Sequence, residues 1–268
     1  MICFPNAKIN LGLRVTGRRP DGYHDIETVF YPVPLRDALE VVSATETSFT
    51  QSGIRLDAAP DDNLVLKALR ALEKKYTIPP TAIYLKKAIP FGAGLGGGSA
   101  DAAFMLKLLN AFAQLNISDR ELEETAATIG ADCPFFIRNR PVLATGTGNV
   151  FEPLSLSLRG YTLYIVKPNN VYVSTRDAYS LVKPSKPACP LREIISRPVS
   201  EWATCLMNDF EPGIFTRYPV IGDIKEQLYA QGAVYASMSG SGASVFGLFE
   251  GDRTLHFPDC FVWKGLPD

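Results

Sequence analysis

An α+β fold in two lobes is predicted for this 268-residue chain. Three observations point to it. Runs rich in β-branched and aromatic residues fill the first forty positions, amphipathic helical spacing follows from residue 64, and a second series of strands and helices begins near residue 155. A chain of this length removes roughly three quarters of its unfolded surface from water, enough for one large or two modest domains. The expected division is 1–154 and 155–268.

Residues 7–15 (AKINLGLRV), Val29 to Pro34 and Ala38 to Val42 read as strands of an antiparallel sheet. Between the first two lies a loop, 17–25, with Pro-Asp-Gly turn chemistry that also holds two Arg, a Tyr and a His. Asp61, Asp62 and Asn63 offer N-caps for a helix over 64–76, where Leu64, Val65, Ala68, Leu69 and Leu72 share a face. Ile83 to Leu85 is a short strand leading into a glycine loop, and an apolar-rich helix then runs to about Asn110. Ser118 with Glu121 forms a capping box for a helix that ends at Gly130. In the second block, Thr162 to Val166 is a strand and helices are expected at roughly 175–183, 199–207 and 219–231. Lys183 to Pro190, with three prolines, is an exposed loop, and strands Val234 to Ser237 and Ala243 to Phe249 flank a Ser-Gly-Ser-Gly hinge.

Composition excludes several function classes. With 27 Lys+Arg against 28 Asp+Glu the formal net charge is -1, which supplies no global field for nucleic acid or an anionic membrane. No apolar run approaches the ~18 residues of a membrane span. The N-terminal stretch lacks the basic-then-apolar layout of a signal peptide, so a cytoplasmic protein is expected. Five scattered cysteines without a C-x-x-C pair argue against a disulfide framework or a zinc site, and His24 and His256 are too few for a multi-histidine metal centre.

The strongest chemical signal is the glycine loop. Gly92, Gly94, Gly96, Gly97 and Gly98 fill five of the seven positions 92–98, between a strand and an alanine-rich helix. Such a loop lets consecutive N–H groups converge on an anion, and a helix start at Ser99 adds its dipole. No Gly-Lys-Ser/Thr ends the loop, so it is not a Walker A loop. Gly92, Gly94 and Gly97 formally fit G-x-G-x-x-G, but repeated βαβ units are absent, which removes the dinucleotide reading. Lys8 and Asp132 are weaker signals: a lone lysine is more often a solvated surface charge, and Asp132, in Asp-x-Pro, is more often a turn residue. Tyr23 and His24 offer a stacking face and a donor and acceptor edge for a planar ring, or simply make a β-turn. Ala144 to Gly148 and Ser239 to Gly242 read as hairpin tips or ligand contacts equally well.

Taken in order, P-x-A-K-I-N-L at 5–11, P-x-G-x-G-L-G-x-x-S at 90–99 and S-G-S-G-A-S at 239–244 resemble the GHMP kinases. With RRPDGYHDIETVF at 18–30, GADCPFF at 130–136 and ATGTG at 144–148, the resemblance is to the branch whose substrate is a cytidine diphosphate-linked methylerythritol. It implies a two-lobed GHMP kinase fold, with ATP in an N-terminal lobe and a C-terminal substrate lobe. The activity implied is transfer of the ATP γ-phosphoryl group, with Mg²⁺, to the C2 hydroxyl of that small molecule by a monomer or homodimer. Mevalonate-type and homoserine kinases of the same family are the alternative. By motif position, Asp132 matches the catalytic base and Lys8 its lysine partner. Pro90, Phe91, Gly92, Ala93, Gly94, Leu95, Gly96, Gly97, Gly98, Ser99 and Ala100 match the ATP-binding loop, and Asn63 the adenine side. Asn10, Tyr23, His24, Thr175 and Tyr179 match substrate contacts, Tyr179 standing where the family often has Phe. Ala100 departs from a common second serine, and no second carboxylate for a metal stands out.

Overall fold

The computed structural model describes residues 1–54 and 62–267. Helices and largely antiparallel strands mix as expected for an α+β chain, and none of the described helices is long and apolar enough to cross a membrane. In chain order the elements are β1 (Ile2–Cys3), β2 (Asn6–Arg18), β3 (His24–Arg36), β4 (Ala38–Ser43), β5 (Ser48–Gly53), α1 (Leu64–Glu73), β6 (Thr81–Lys87), α2 (Gly97–Phe112), α3 (Asp119–Ala127), α4 (Phe135–Arg138), β7 (Val142–Thr145), β8 (Val150–Pro153), β9 (Tyr161–Pro168), α5 (Thr175–Leu181), α6 (Leu191–Ile195), α7 (Glu211–Arg217), α8 (Pro219–Ala230), β10 (Tyr235–Met238), β11 (Val245–Glu250) and β12 (Cys260–Gly265). They pack into two compact units that interleave along the sequence. The first takes Met1–Ala7, Leu35–Phe91 and Gly96–Arg140; the second takes Lys8–Pro34, Gly92–Leu95 and Pro141–Asp268.

In the first unit, a sheet of order β1-β4-β6-β5 is antiparallel except for the β5–β6 pair. Helix α2 packs against β1, β4 and the other three helices of the unit. Its burial nearly all round, from Ala100 and Ala102 to Leu108 and Leu109, follows from this central place. Asn63 caps α1 by accepting from the Val65 N–H at 2.9 Å, while the alternative cap Asp61 lies outside the described residues. The helix expected to reach 76 stops at Glu73 because the N–H groups of Lys75 and Tyr76 both turn back onto the Leu72 carbonyl. Ser118 caps α3, but the Glu121 carboxylate accepts from the Tyr76 hydroxyl at 2.7 Å, so only half of the expected box forms.

The second unit holds two further sheets, β2-β3-β7-β8 and β10-β11-β9-β12. Its core joins Leu13 and Val15 of β2 to Val166, Ile221, Leu228 and Phe249. Strand β2 is buried on both faces over its first eight residues: Ala7, Ile9 and Leu11 fill one row, and the polar Asn6, Lys8 and Asn10 the other. Strands β2 and β3 run longer than the spacing suggested, which shortens the intervening loop to five residues, 19–23. The helix expected over 199–207 is instead a 3₁₀ turn, Val199–Thr204, entered through Pro198. Residues 207–209 leave it extended and pair with Leu13 on the edge of β2, an arrangement that a continued helix forbids. The last nineteen residues, which carry no motif, supply β12 at the edge of its sheet beside β9.

Candidate active site

The second unit gathers Lys8, Asn10, the loop arm Gly92–Leu95 and the 239–244 turn. Lys8 is 4% exposed, so it is no surface charge. Its ammonium donates to Asn10 Oδ1 at 2.6 Å and to the Gly94 carbonyl at 3.2 Å, and lies 4.9 Å from the centroid of the Phe30 ring. The Lys8 backbone N–H donates to the Leu95 carbonyl at 2.9 Å, and the Ser244 N–H to the Ala93 carbonyl at 3.2 Å. The Ser239 hydroxyl donates to the Gly94 carbonyl at 2.8 Å and accepts from the Asn10 N–H at 3.3 Å. The arm is therefore pinned between β2 and the turn. Tyr172 lies on Gly92, where a Cβ would stand 2.3 Å from its ring.

The same unit brings together most of the expected substrate contacts. His24 opens β3 and stacks on Tyr179 of α5, with centroids 4.7 Å apart and planes at 17°, and Phe210 meets the Tyr179 ring edge-on. Tyr23 is 67% exposed at the loop tip, where the Asp21 carboxylate accepts from its N–H at 3.0 Å. Thr175 Oγ1 lies 3.5 Å from the Ser241 hydroxyl. Asn10 Nδ2 donates to Thr28 Oγ1 at 3.0 Å, fixing the amide so that its oxygen faces Lys8.

The first unit carries the other arm, Gly96 to Ala100, with Pro90 buried and Phe91 exposed before it. Gly96 is the N-cap of α2, at φ 70°, and brings no side chain to cover the N–H groups of the first turn. Gly98 approaches Leu64, next to Asn63. Ser99 reaches the Gly130–Cys133 turn, which presents a half-exposed Asp132. Burial pushes the Cys133 thiol up to about 12 against a hydrogen bond from Ser99, with the Asp132 charge adding to the rise. Cys133 is thus a protonated packing residue at neutral pH, not a nucleophile.

Two family models match the chain: the GHMP kinase N-terminal domain over residues 63–140 and the GHMP kinase C-terminal domain over 191–255. A protein of Parabacteroides distasonis with the name 4-diphosphocytidyl-2-C-methyl-D-erythritol kinase is 63% identical, covering 99% of both chains. This chain belongs to that kinase family, within the GHMP kinases. A Bacteroides fragilis protein of the same name is 58% identical over 95% of this chain and 94% of its own. A crystal structure of 4-(cytidine 5'-diphospho)-2C-methyl-D-erythritol kinase superposes with TM-score 0.77 at 33% identity, over 94% of this chain and 91% of that one.

This GHMP kinase also holds a buried charge cluster that the sequence reading passed over. Below the start of α2, the Lys87 ammonium pairs with Asp37 and, at 2.6 Å, with Asp101; all three side chains are almost fully buried. Asp37 also accepts from the N–H groups of Ala88 and Ile89, whereas Asp101 Oδ1 has no hydrogen-bond partner among the described residues. Burial pulls the Lys87 ammonium down, but the two carboxylates outweigh it and hold it above its usual range. Burial pushes Asp101 up to about 7; Lys87 opposes the shift and the charge of Asp37 adds to it. Cys3 also lies within reach of this carboxyl, whose charge adds to the rise that burial imposes on the Cys3 thiol. A carboxyl raised from 3.8 to about 7 binds more protons folded than unfolded, so stability falls as pH rises between those two values and levels off above. Asp101→Asn removes that titration. Denaturant midpoints compared at about pH 5 and 8 should fall less for the variant than for the parent, and equal falls would count against the raised carboxyl.

Proposed function

We propose that this chain transfers the γ-phosphoryl group of ATP to the C2 hydroxyl of 4-diphosphocytidyl-2-C-methyl-D-erythritol, a step of non-mevalonate isoprenoid precursor synthesis in the cytoplasm. One observation carries the reading. The His24–Tyr179 stack sits at the first residue of β3, and the Lys8–Asn10 pair is tied to Thr28 four residues further along, ~13 Å of strand away. An elongated ligand with a planar base at one end and a reacting alcohol at the other fits that spacing. Family matches on either side of residue 154 support the division into 1–154 and 155–268. By packing, however, Lys8, Asn10, Tyr23 and His24 belong with the second half.

Phosphoryl transfer through a loose transition state needs alignment and charge neutralisation more than strong base chemistry. The N–H groups of Gly92 to Ala100 would cradle the nucleotide phosphates, and Lys8 would offset charge that develops on the transferred group. Asp132 would orient the hydroxyl and take its proton late in transfer. Asn10 holds Lys8 in place, while Thr175 lines the substrate beside the Ser241 turn and Asn63 flanks the nucleotide. Among the described residues no three His, Cys, Asp or Glu side chains cluster as a metal cage. Mg²⁺ needs no such cage, since it enters kinases on the phosphates and takes only one or two protein oxygens. The Ser99 hydroxyl and the Asp132 carboxylate, both beside the start of α2, would hold it. When bound, the ion neutralises charge on the phosphate oxygens.

ADP release, measured with and without 4-diphosphocytidyl-2-C-methyl-D-erythritol, tests the proposal. Release that does not depend on this alcohol, or that responds better to mevalonate or homoserine, would sink it. His24→Ala should raise KM for the cytidine substrate by about tenfold, since stacking a base on an aromatic ring is worth ~1–3 kcal/mol, and should leave KM for ATP unchanged. A rise in KM for ATP instead would assign His24 to the other ligand.

A further inference from the structure

Two oxygens that accept from the Lys8 ammonium, Asn10 Oδ1 and the Gly94 carbonyl, share one support. Gly240 packs on both: a Cβ there would stand 3.2 Å from the Gly94 oxygen and 3.4 Å from Asn10 Oδ1. Ser239 adds its hydroxyl, linking the Asn10 backbone to the Gly94 carbonyl. A buried amide holds the Gly240 carbonyl. Asn208, 2% exposed, donates through Nδ2 to the carbonyls of Met238 and Gly240, both at 2.8 Å, and its Oδ1 accepts from the Phe210 N–H at 3.0 Å. Asn208 is itself held by the extended segment paired with Leu13, five residues along β2 from Lys8. The strand end before the turn is anchored separately, because Glu211 accepts from the Met238 N–H at 2.8 Å and the Ser237 hydroxyl at 3.0 Å and pairs with Lys225. Asn208 thus ties the start of the turn, at Met238 and Gly240, to the segment beside β2.

We infer that Asn208 is a positioning residue for phosphoryl transfer: through the 238–242 turn it sets the oxygens that orient Lys8. This rests on the reading of Lys8 as part of the transfer site. Asn208→Asp keeps the size of the side chain and the acceptor for Phe210, but turns a carboxylate oxygen onto two carbonyl oxygens and drives the turn away. A displacement of ~1 Å at a reacting centre costs up to ~10²-fold in rate.

The test uses the purified 268-residue chain with ATP and the cytidine substrate. Asn208→Asp should lower kcat by ~10–100-fold while both KM values stay within about twofold. Ser239→Ala, which cuts the hydroxyl link and leaves the backbone intact, should lower kcat in the same way. Because both act along one route, the double variant should be no slower than the slower single one. A folded Asn208→Asp protein with parental kcat, a loss that appears in KM alone, or losses that multiply in the double variant would each overturn the inference. If Asn208→Asp does not fold, parental kcat in Ser239→Ala overturns it. Lys8→Ala separates the two levels: full turnover there removes the Lys8 reading and this inference together, whereas an inactive Lys8→Ala beside a fully active Asn208→Asp removes only the inference.

Discussion

Asp132→Asn should lower kcat by ~10²–10⁴ with little change in either KM, the usual worth of a positioned acid or base. Asn has the same shape and nearly the same volume, so the 131–134 turn has no steric reason to move. Asp132 is half-exposed and lies outside the buried core, so the melting temperature should stay close to that of the parent. What the substitution removes is the negative charge and the proton acceptor. A loss of this size corresponds to roughly 2.7–5.5 kcal/mol of transition-state stabilisation. Asp132→Glu keeps the charge but moves it by a methylene, and should fall between the parent and the Asn variant. Steady-state ADP release over a range of both substrates measures the series. Turnover of the Asn variant within about twofold of the parent would remove Asp132 from the chemistry and leave it as the turn residue that Asp-x-Pro alone suggests.

How far the sequence could be read depended on where the information lay along the chain. Local patterns carried far: five clustered glycines, the Asn63 and Ser118 caps and the alternation in β2 each declare themselves within a few residues, and each has its structural counterpart. The 199–207 helix failed because local apolar spacing competed with a tertiary pairing. Met207 to Asp209 are needed extended against β2, and nothing within ten residues of them reveals that partner. Lys87, Asp37 and Asp101 failed for the same reason. Each resembles a surface charge in its own segment, and only the packing of β6, the β3–β4 turn and α2 brings the three together. Lys8 is the instructive case. As an isolated lysine it reads as solvated, yet the strand around it offers a second clue, a buried polar row of Asn6, Lys8 and Asn10 opposite an apolar one. Polar residues at alternate positions of a strand buried on both faces must be paired inside the protein, and such pairing is what a site provides.

Gly94→Ala should abolish most activity through geometry alone. Gly94 has φ +71°, and a Cβ there would lie 1.9 Å from the Ser239 carbonyl oxygen, 2.8 Å from its carbon and 3.2 Å from the Gly242 oxygen. All three are backbone atoms, so no side chain can swing aside; either the arm or the turn must shift by more than an ångström. That shift moves the Gly94 carbonyl and Ser239 together, and with them two oxygens that accept from the Lys8 ammonium, those of Gly94 and Asn10. A kcat loss on the order of 10²-fold is expected, with a stability loss of ~1–3 kcal/mol from the left-handed backbone and the contact. The positive φ and the close approach can be told apart within the same unit. Gly251 has φ +76° with nothing among the described residues within 4 Å of the Cβ position, so Gly251→Ala carries the backbone strain without the clash. It should lose stability by ~1–2 kcal/mol and keep parental kcat. Equal kcat values for the two alanine variants, each measured well below its melting temperature, would show that the contact between the glycine arm and the 239–244 turn does not govern the placement of Lys8.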